Sequence, residues 1–468
     1  MRKCSIFAAA ILSLSLASAG CAKEKQSQIE ADLTRPPEKW LEMESLRLLR
    51  DYVRIDTTAE RGEEEGAKFL RNIFDCAGIE TEILCPAPKR CNLLARLPGR
   101  TRKGTLLLLN HIDVAPAPPE VWHEAKPFEG KIRAGYLWGR GAYDMKSLGL
   151  AEALAMRNLK RHGIVPPSDI LFVGEADEEI GQKLGIRWLL EKHPDRFEGV
   201  ANVLNEGGNP EVILRAVRFF GIETVQAGFA IGEFAASSPG PLADLSRRWS
   251  ALKSPVVEPL PQVRLAFDLM ANHLVSPLTD PLRHLDRVRR DPAELAVLPD
   301  RYRSFLEARI YWGEPGPFPL ESKTNFTTFA AISVPPGLDP MSFLQPILAD
   351  ATSAGVRVTR AYSAGVALAS PYPTSFTEML RRVTEAHFPG VPFGPAPTSG
   401  GYTTSALLRQ KGIPAYGYSS IPMNITDSSR KHGPDERIYL RDYLTGVRVY
   451  EDLLEEFALT TKLCEDCH

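Results

Sequence analysis

Residues 105–116 read TLLLLNHIDVAP. Thr105 to Leu109 is a continuous apolar run without alternation, the pattern of a β-strand buried on both faces. His111 and Asp113 follow it immediately. A chemistry-bearing pair at the end of such a strand fits an open α/β sheet, where sites gather beyond the carboxyl ends of the strands. Two further strands repeat the arrangement. Ile170–Val173 leads into Asp177, Glu178 and Glu179, and Ala201–Leu204 leads into Glu206. One such acid reads as a solvated loop residue. Three strand ends delivering acids or histidine to one edge do not.

The surrounding sequence supports this layering. Trp40–Tyr52 and Glu64–Ala77 have helical periodicity, the second ending at Gly78. Glu80–Leu84 and Asn92–Leu97 read as strands, and Leu148–His162 and Ile186–Lys192 as helices. Strands alternating with helices predict an α/β layered domain. After about Gly221 the alternation breaks down and Pro and Gly become frequent. Ser322–Val334 and Val356–Tyr362 read as strands and Pro340–Thr352 as a helix, a smaller α+β domain. The first pattern then returns, with helices at Thr377–His387 and Leu440–Phe457 and a strand at Ile413–Tyr418. At 468 residues, two domains are the expected division.

A formal charge of -2 gives no broad footprint for nucleic acid. The N-terminus reads as a targeting segment. Arg2 and Lys3 precede an apolar stretch, Ile6–Leu16, too short to span a bilayer comfortably. Ser18-Ala19-Gly20-Cys21 resembles a bacterial lipobox with Cys21 as the lipidated residue, the favoured reading, and Ala17-Ser18-Ala19 fits an ordinary cleavage site as the second. The expected location is the bacterial cell envelope or periplasm, lipid-anchored or secreted, with no membrane span beyond the anchor. Export implies an oxidising compartment. Cys85 and Cys91 flank the turn CPAPKRC and are placed for a local disulfide. Cys464-Glu-Asp-Cys467 lacks the context of a redox or metal motif and reads as a tail.

Imidazole nitrogens and carboxylate oxygens are the ligands of hydrolytic zinc sites. His111, Asp144 in GRGAYDMKS, the acids of DEEIG, Glu206 in NEGG and His432 in RKHGPDERI exceed what one catalytic zinc needs, which suggests two metals. Asp113 is close enough in sequence to orient His111, because a ligating imidazole usually gives its other N–H to an acceptor. Of the adjacent Glu178 and Glu179, one can bind metal while the other faces water.

Taken in order, NHIDVAP, the W-x-x-x-x-PF spacing of Trp122 to Phe128, GRGAYDMK, DEEIG, NEGG and KHGPDERI resemble the di-zinc aminoacylase and carboxypeptidase family of metallopeptidases. That family includes carnosinases, succinyl-diaminopimelate desuccinylase and Gly-X carboxypeptidases. The resemblance runs from about Trp40 to Phe457. It implies a three-layer α/β catalytic domain with a mostly parallel sheet, interrupted by a smaller α+β lid domain. The expected organisation is a signal peptide at 1–21, a tether at 22–37, catalytic segments at 38–221 and 365–460, a lid at 222–364 and a tail at 461–468. It implies two Zn2+ ions, another divalent metal being the alternative. Asp144 would bridge them, with His111 and Glu206 completing one position and Glu179 and His432 the other. Asp113 would orient His111 and Glu178 would be the general base. A cis peptide at Asp144–Met145 is also implied. The implied substrate is a small peptide or N-acyl amino acid, and the implied assembly is a homodimer through the lid.

Three departures concern substrate recognition. The lid motif Gly-His-[Ala/Gly/Ser]-Ser is replaced in AASSPGPLADL, with Pro241 at the histidine position. Ser333 and Ala406 stand where the family has arginines for a substrate carboxylate. Asn325 in SKTNF does match a lid asparagine that touches substrate. Two other readings therefore stand beside the di-zinc hydrolase. One is a catalytically weakened or non-hydrolytic envelope binding protein retaining the metal site. The other is a hydrolase with a single metal.

Overall fold

The apolar run Thr105–Leu109 lies at the heart of a sheet. The computed structural model describes residues 37–459, apart from 182, 209, 214–215, 274–278, 315, 318–325 and 400. The expected signal segment with Cys21, the tether up to residue 36, the tail 461–468 with Cys464 and Cys467, and Asn325 lie outside the described residues.

The chain forms two units. In the first, strands β1 (Glu80–Ala87), β2 (Arg90–Leu97), β3 (Thr101–His111), β4 (Ser168–Glu175) and β5 (Val200–Asn205) follow the order β1-β2-β4-β3-β5. The sheet is mixed. β2 pairs antiparallel with β1 and with β4. β3 runs parallel to β4, Leu106–Leu109 facing Ile170–Val173, and parallel to β5. Because β3, β4 and β5 run the same way, their carboxyl ends share one edge. His111, Asp177–Glu179 and Glu206 are delivered there. Leu106 to Leu109 are at most 1% exposed, so each contributes roughly 1.5–3 kcal/mol of burial.

Helices α1 (Glu44–Val53), α2 (Glu64–Asp75) and α3 (Lys146–Arg161) belong to the same unit. The turn over Pro37–Glu42, ahead of α1, is a 3-10 helix rather than a continuation of it. α3 begins two residues after Asp144 and is buried along nearly its whole length. The buried Lys146 at its start donates from Nζ to the carbonyls of Tyr52 and Ile55, tying α1 to α3. Cys85 and Cys91 form a disulfide across the β1–β2 hairpin.

The second unit holds an antiparallel sheet of β6 (Gly228–Ala236), β7 (Arg309–Trp312), β8 (Phe326–Val334) and β9 (Arg357–Ser363), in the order β7-β8-β6-β9. Helices α4 (Pro239–Arg248) and α5 (Pro340–Ser353) supply Leu242, Leu245, Leu344 and Ile347 to its core beside Phe234 and Ile332. The chain divides between Gly221 and Ile222, and the first unit resumes at Pro373 with α6 (Ser375–His387).

The segment expected at 365–460 as wholly catalytic is interrupted. Residues 394–416, including α7 (Ser405–Gln410), belong to the second unit. Buried polar contacts explain the capture. Arg409 pairs with Glu223 at 2.6 Å and donates from Nε to Ser370 Oγ. Thr403 N donates to Gln226 Oε1, whose Nε2 returns a bond to Thr403 Oγ1. Breaking a buried ion pair typically costs about 3–5 kcal/mol, so these contacts fix the segment firmly. The chain returns to the first unit at Gly417 and leads on to α8 (Leu440–Leu459).

Glu152 on α3 is fully buried, accepts from Asn110 Nδ2 at 2.9 Å, and has its carboxyl pushed by burial from 4.5 up to about 8. Between those values the folded chain keeps a proton that the unfolded chain has released. Its contribution to stability is therefore full below about pH 4.5 and is lost as the pH rises toward 8. Glu152→Gln keeps the acceptor and removes the titration. In urea unfolding the variant should gain on wild type by up to about 1.4 kcal/mol per pH unit across that window. Parallel stability profiles for the two proteins would rule this out.

Candidate metal centre

Asp144 stands at the middle of the cluster because its two carboxylate oxygens face different partners. His111 Nε2 is 3.3 Å from Oδ1, and His432 Nε2 is 2.8 Å from Oδ2. His111 Nε2 is also 3.9 Å from Glu206 Oε1, and His432 Nε2 is 3.0 Å from Glu179 Oε2. Around Asp144 the contacts thus divide between His111 on one oxygen and His432 on the other, while the ligand atoms of His111, Asp144 and Glu179 also all lie within 4.8 Å of one another. Glu178 stands with His111 and Glu206, their ligand atoms all within 4.8 Å of one another. The Asp144–Met145 peptide is cis.

Backbone hydrogen bonds hold the acids in place. Glu436 is fully buried and accepts from the N–H groups of Gly141, Tyr143 and Asp144 at 3.2, 2.9 and 3.1 Å. Arg140 Nη1 donates to the same carboxylate at 2.5 Å. The loop ending in Asp144 is thereby fastened to the segment carrying His432. Asp435 does the same for another stretch, accepting from His123 N and Glu124 N.

Asp113 has a different job from the one expected. His111 Nδ1 bonds to the Asp113 carbonyl oxygen at 2.9 Å, while the nearest carboxylate oxygen is 3.7 Å away. The carboxylate accepts from Glu178 N at 3.1 Å and Glu179 N at 3.0 Å. Two loop amides claim it, so the backbone carbonyl orients the imidazole. Burial pushes the Asp113 carboxyl up to about 8.

Asp177 and His432 both adopt left-handed backbone, with φ of 66° and 59°. Non-glycine residues rarely do so, and such conformations cluster at functional sites. The Asp177 carboxylate stabilises its turn by accepting from Lys183 N and Leu184 N.

The electrostatics follow from five acids in one place. Burial, followed by the charges of Glu206 and Glu179, holds the Glu178 carboxyl well above its ordinary value. Burial also works against ionised Asp144, but Lys431 and the two histidines outweigh it and hold that carboxyl well below the usual range. Asp144 and Glu179 push His432 up to about 9. Lys431 was not anticipated from sequence. Its Nζ lies 3.2 Å from Asp144 Oδ2 and 3.4 Å from Glu206 Oε2, its side chain 38% exposed. Its neighbour His432 was the only signal for it. The pairing of Glu436 with the Asp144 loop was equally unread, although both lie inside recognised motifs.

This donor set fits divalent cations. It offers two imidazoles and an excess of carboxylates, the hard and borderline ligands that zinc accepts. Glu179 Oε1 is buried and has no hydrogen-bond partner among the described residues. A buried carboxylate oxygen left so is costly unless a cation meets it.

The positions that depart from the expected recognition motifs lie in the second unit. Pro241 is exposed in the first turn of α4, where proline is tolerated. Ser333 on β8 lies directly across from Arg309 on β7. That guanidinium is engaged by Asp300 and Glu307. Ala406 is buried in α7.

The N-fatty-acyl-amino acid synthase/hydrolase PM20D1 of Xenopus tropicalis is 31% identical over 171 residues, 34% of this chain and 32% of that protein. The match thus spans about a third of that relative's length. Aminoacylase-1 of Sus scrofa is 26% identical over 433 residues, 88% of this chain and 95% of that protein. A M20 family metallo-carboxypeptidase from Sulfolobus solfataricus superposes with a TM-score of 0.67 at 19% identity, over 89% of this chain and 100% of its own, a likeness of fold. The sequence profile of peptidase family M20/M25/M40 matches residues 107–456, a span that includes every residue of the cluster. The chain therefore belongs to peptidase family M20/M25/M40.

Proposed function

We propose that the chain is a metal-dependent hydrolase of peptide or N-acyl amide bonds in small substrates. The observation that carries this reading is the placement of two imidazoles, His111 and His432, on different oxygens of Asp144, with Glu178 and Glu206 grouped beside His111. His111 and Glu206 would hold one cation, Glu179 and His432 the other, and Asp144 would serve both. Divalent cations there, zinc first among them, would polarise the scissile carbonyl and acidify the attacking water.

The chain's own contribution is proton handling and placement. Glu178, its carboxyl raised by burial and neighbouring acids, suits a group that takes a proton from water at near-neutral pH and returns it to the leaving amine nitrogen. Asp113 fixes where that carboxylate stands by binding the Glu178 and Glu179 amides. Similarity to an aminoacylase and to an N-fatty-acyl-amino acid hydrolase supports an N-acyl amino acid as the first substrate class to try. The loss of the lid histidine at Pro241 favours the rival reading, a binding protein that keeps the metal site. The Arg2–Lys3 start, the apolar stretch and Cys21 support an exported, lipid-anchored protein, and the Cys85–Cys91 disulfide suits an oxidising compartment. No helix among the described residues is long and apolar enough to cross a membrane.

Metal analysis of the purified protein, with hydrolysis of a panel of dipeptides and N-acyl amino acids, tests the reading. Glu178→Gln should lower turnover by about 10²–10⁴-fold while metal content stays at the wild-type level. A variant as active as wild type would exclude Glu178 as the base, and an inactive wild type across the panel would favour the binding protein.

Lys431 yields a separate expectation. Its ammonium shares carboxylates with the proposed cations, so like charges compete. Lys431→Met should bind zinc about tenfold more tightly at the weaker position and melt at a lower temperature without metal. Calorimetric titration and thermal unfolding would measure both. An unchanged zinc isotherm would show that the ammonium does not compete.

A further inference from the structure

The disulfide-closed hairpin between β1 and β2 plays no part in the chemistry proposed above, yet it reaches the loop that carries the base. The hairpin tip rests on the segment before α2. A Cβ built on Gly62, which has φ of 82°, would lie 2.5 Å from the Lys89 carbonyl oxygen, so tip and segment are in direct contact. Glu64 N donates to that same oxygen at 3.1 Å.

Arg90 follows at once. Its Nη2 donates to Glu63 Oε1 at 2.7 Å and to Asp177 Oδ1 at 3.1 Å, and its Nε also donates to Glu63. The Glu63 side chain is fully buried, that of Asp177 6% exposed and that of Arg90 15%. Asn92, just past Cys91, accepts from Ala176 N and donates to the Leu184 carbonyl. One strand end thus grips the loop from Ala176 to Leu184 at its entrance, at its exit and at Asp177, the residue before Glu178.

We propose that Arg90 is a positioning residue for the Glu178–Glu179 loop, and that the Cys85–Cys91 disulfide holds Arg90 where it can act. The guanidinium neutralises two buried carboxylates that would otherwise repel each other, and removing one member of such a group leaves charge buried without a partner. The loop relieves that by shifting, and Glu178 and Glu179 shift with it. The disulfide spans Cys85 to Cys91 with Arg90 inside the closed loop, which restricts the arm from which the guanidinium projects. Reduction by a dithiol delivers two electrons and two protons to the sulfurs, breaks the S–S bond, leaves two thiols and converts the dithiol to its own disulfide. Turnover then depends on the redox state of a bond that touches neither substrate nor ligand.

The inference rests on the metal-dependent reading, and its tests include one that needs no substrate. Arg90→Met should lower kcat about tenfold or more with KM within about twofold, and Arg90→Lys should recover part of the loss. Wild type treated with a phosphine, which becomes its oxide with oxygen from water and does not chelate zinc as dithiols do, should lose kcat about threefold or more. The double variant Cys85→Ser/Cys91→Ser should already sit at that lower level and ignore the phosphine. Zinc titration should show weaker binding in Arg90→Met, because Glu179 moves with the loop. Wild-type kcat in Arg90→Met, or equal kcat in reduced and oxidised wild type, overturns the proposal. Should the wild type hydrolyse no amide, the functional reading fails by itself; an unchanged zinc isotherm in Arg90→Met then overturns this one.

Discussion

Negative charge is expensive to gather, and this fold gathers five carboxylates around one point. Asp113, Asp144, Glu178, Glu179 and Glu206 would repel one another apart in a flexible chain. Two things prevent it. Backbone amides aimed at Asp113 and Glu436 fix the loops on which the acids ride. Positive groups, His111, His432 and Lys431, stand among the carboxylates themselves. The rigid parallel core of β3, β4 and β5 is what such crowding requires, because strand ends buried on both faces cannot drift to relieve it.

The sequence was most readable where function and local structure coincide. The apolar runs before His111, Glu178 and Glu206 announced three strands and one edge, and the order of motifs named the residues that the fold brings together there. What escaped was partnership across distance. His111-x-Asp113 looked like an imidazole with its own carboxylate, yet the carboxylate was claimed by amides 65 and 66 residues away. Glu436 reads as one charged residue in a charged motif until Asp144 is brought 292 residues back to it. Periodicity reports how a segment meets its surroundings. It does not say which buried charge answers which.

The same limit explains the boundary of the second unit. Nothing in the composition of residues 394–416 separates them from the catalytic segments on either side. The buried pairing of Arg409 with Glu223 does, and it joins residues 186 positions apart. The departures at Pro241, Ser333 and Ala406 were legible as substitutions, and the structure adds why the fold accepts them. Pro241 lies in the first turn of a helix, Ser333 lies in a paired strand, and Ala406 fills a buried helical position.

The contact between Asp144 and His432 joins residues 288 positions apart. In chain order the five acids therefore all precede the His432 imidazole and the Lys431 ammonium that stand beside them. Until residues 431 and 432 join them, the early strands can form their apolar core but hold a cluster of acids with His111 as its one positive group of the three. Long-range closure thus makes the finished centre a late event in folding, and any metal it took up would report that distant parts of the first unit have come together.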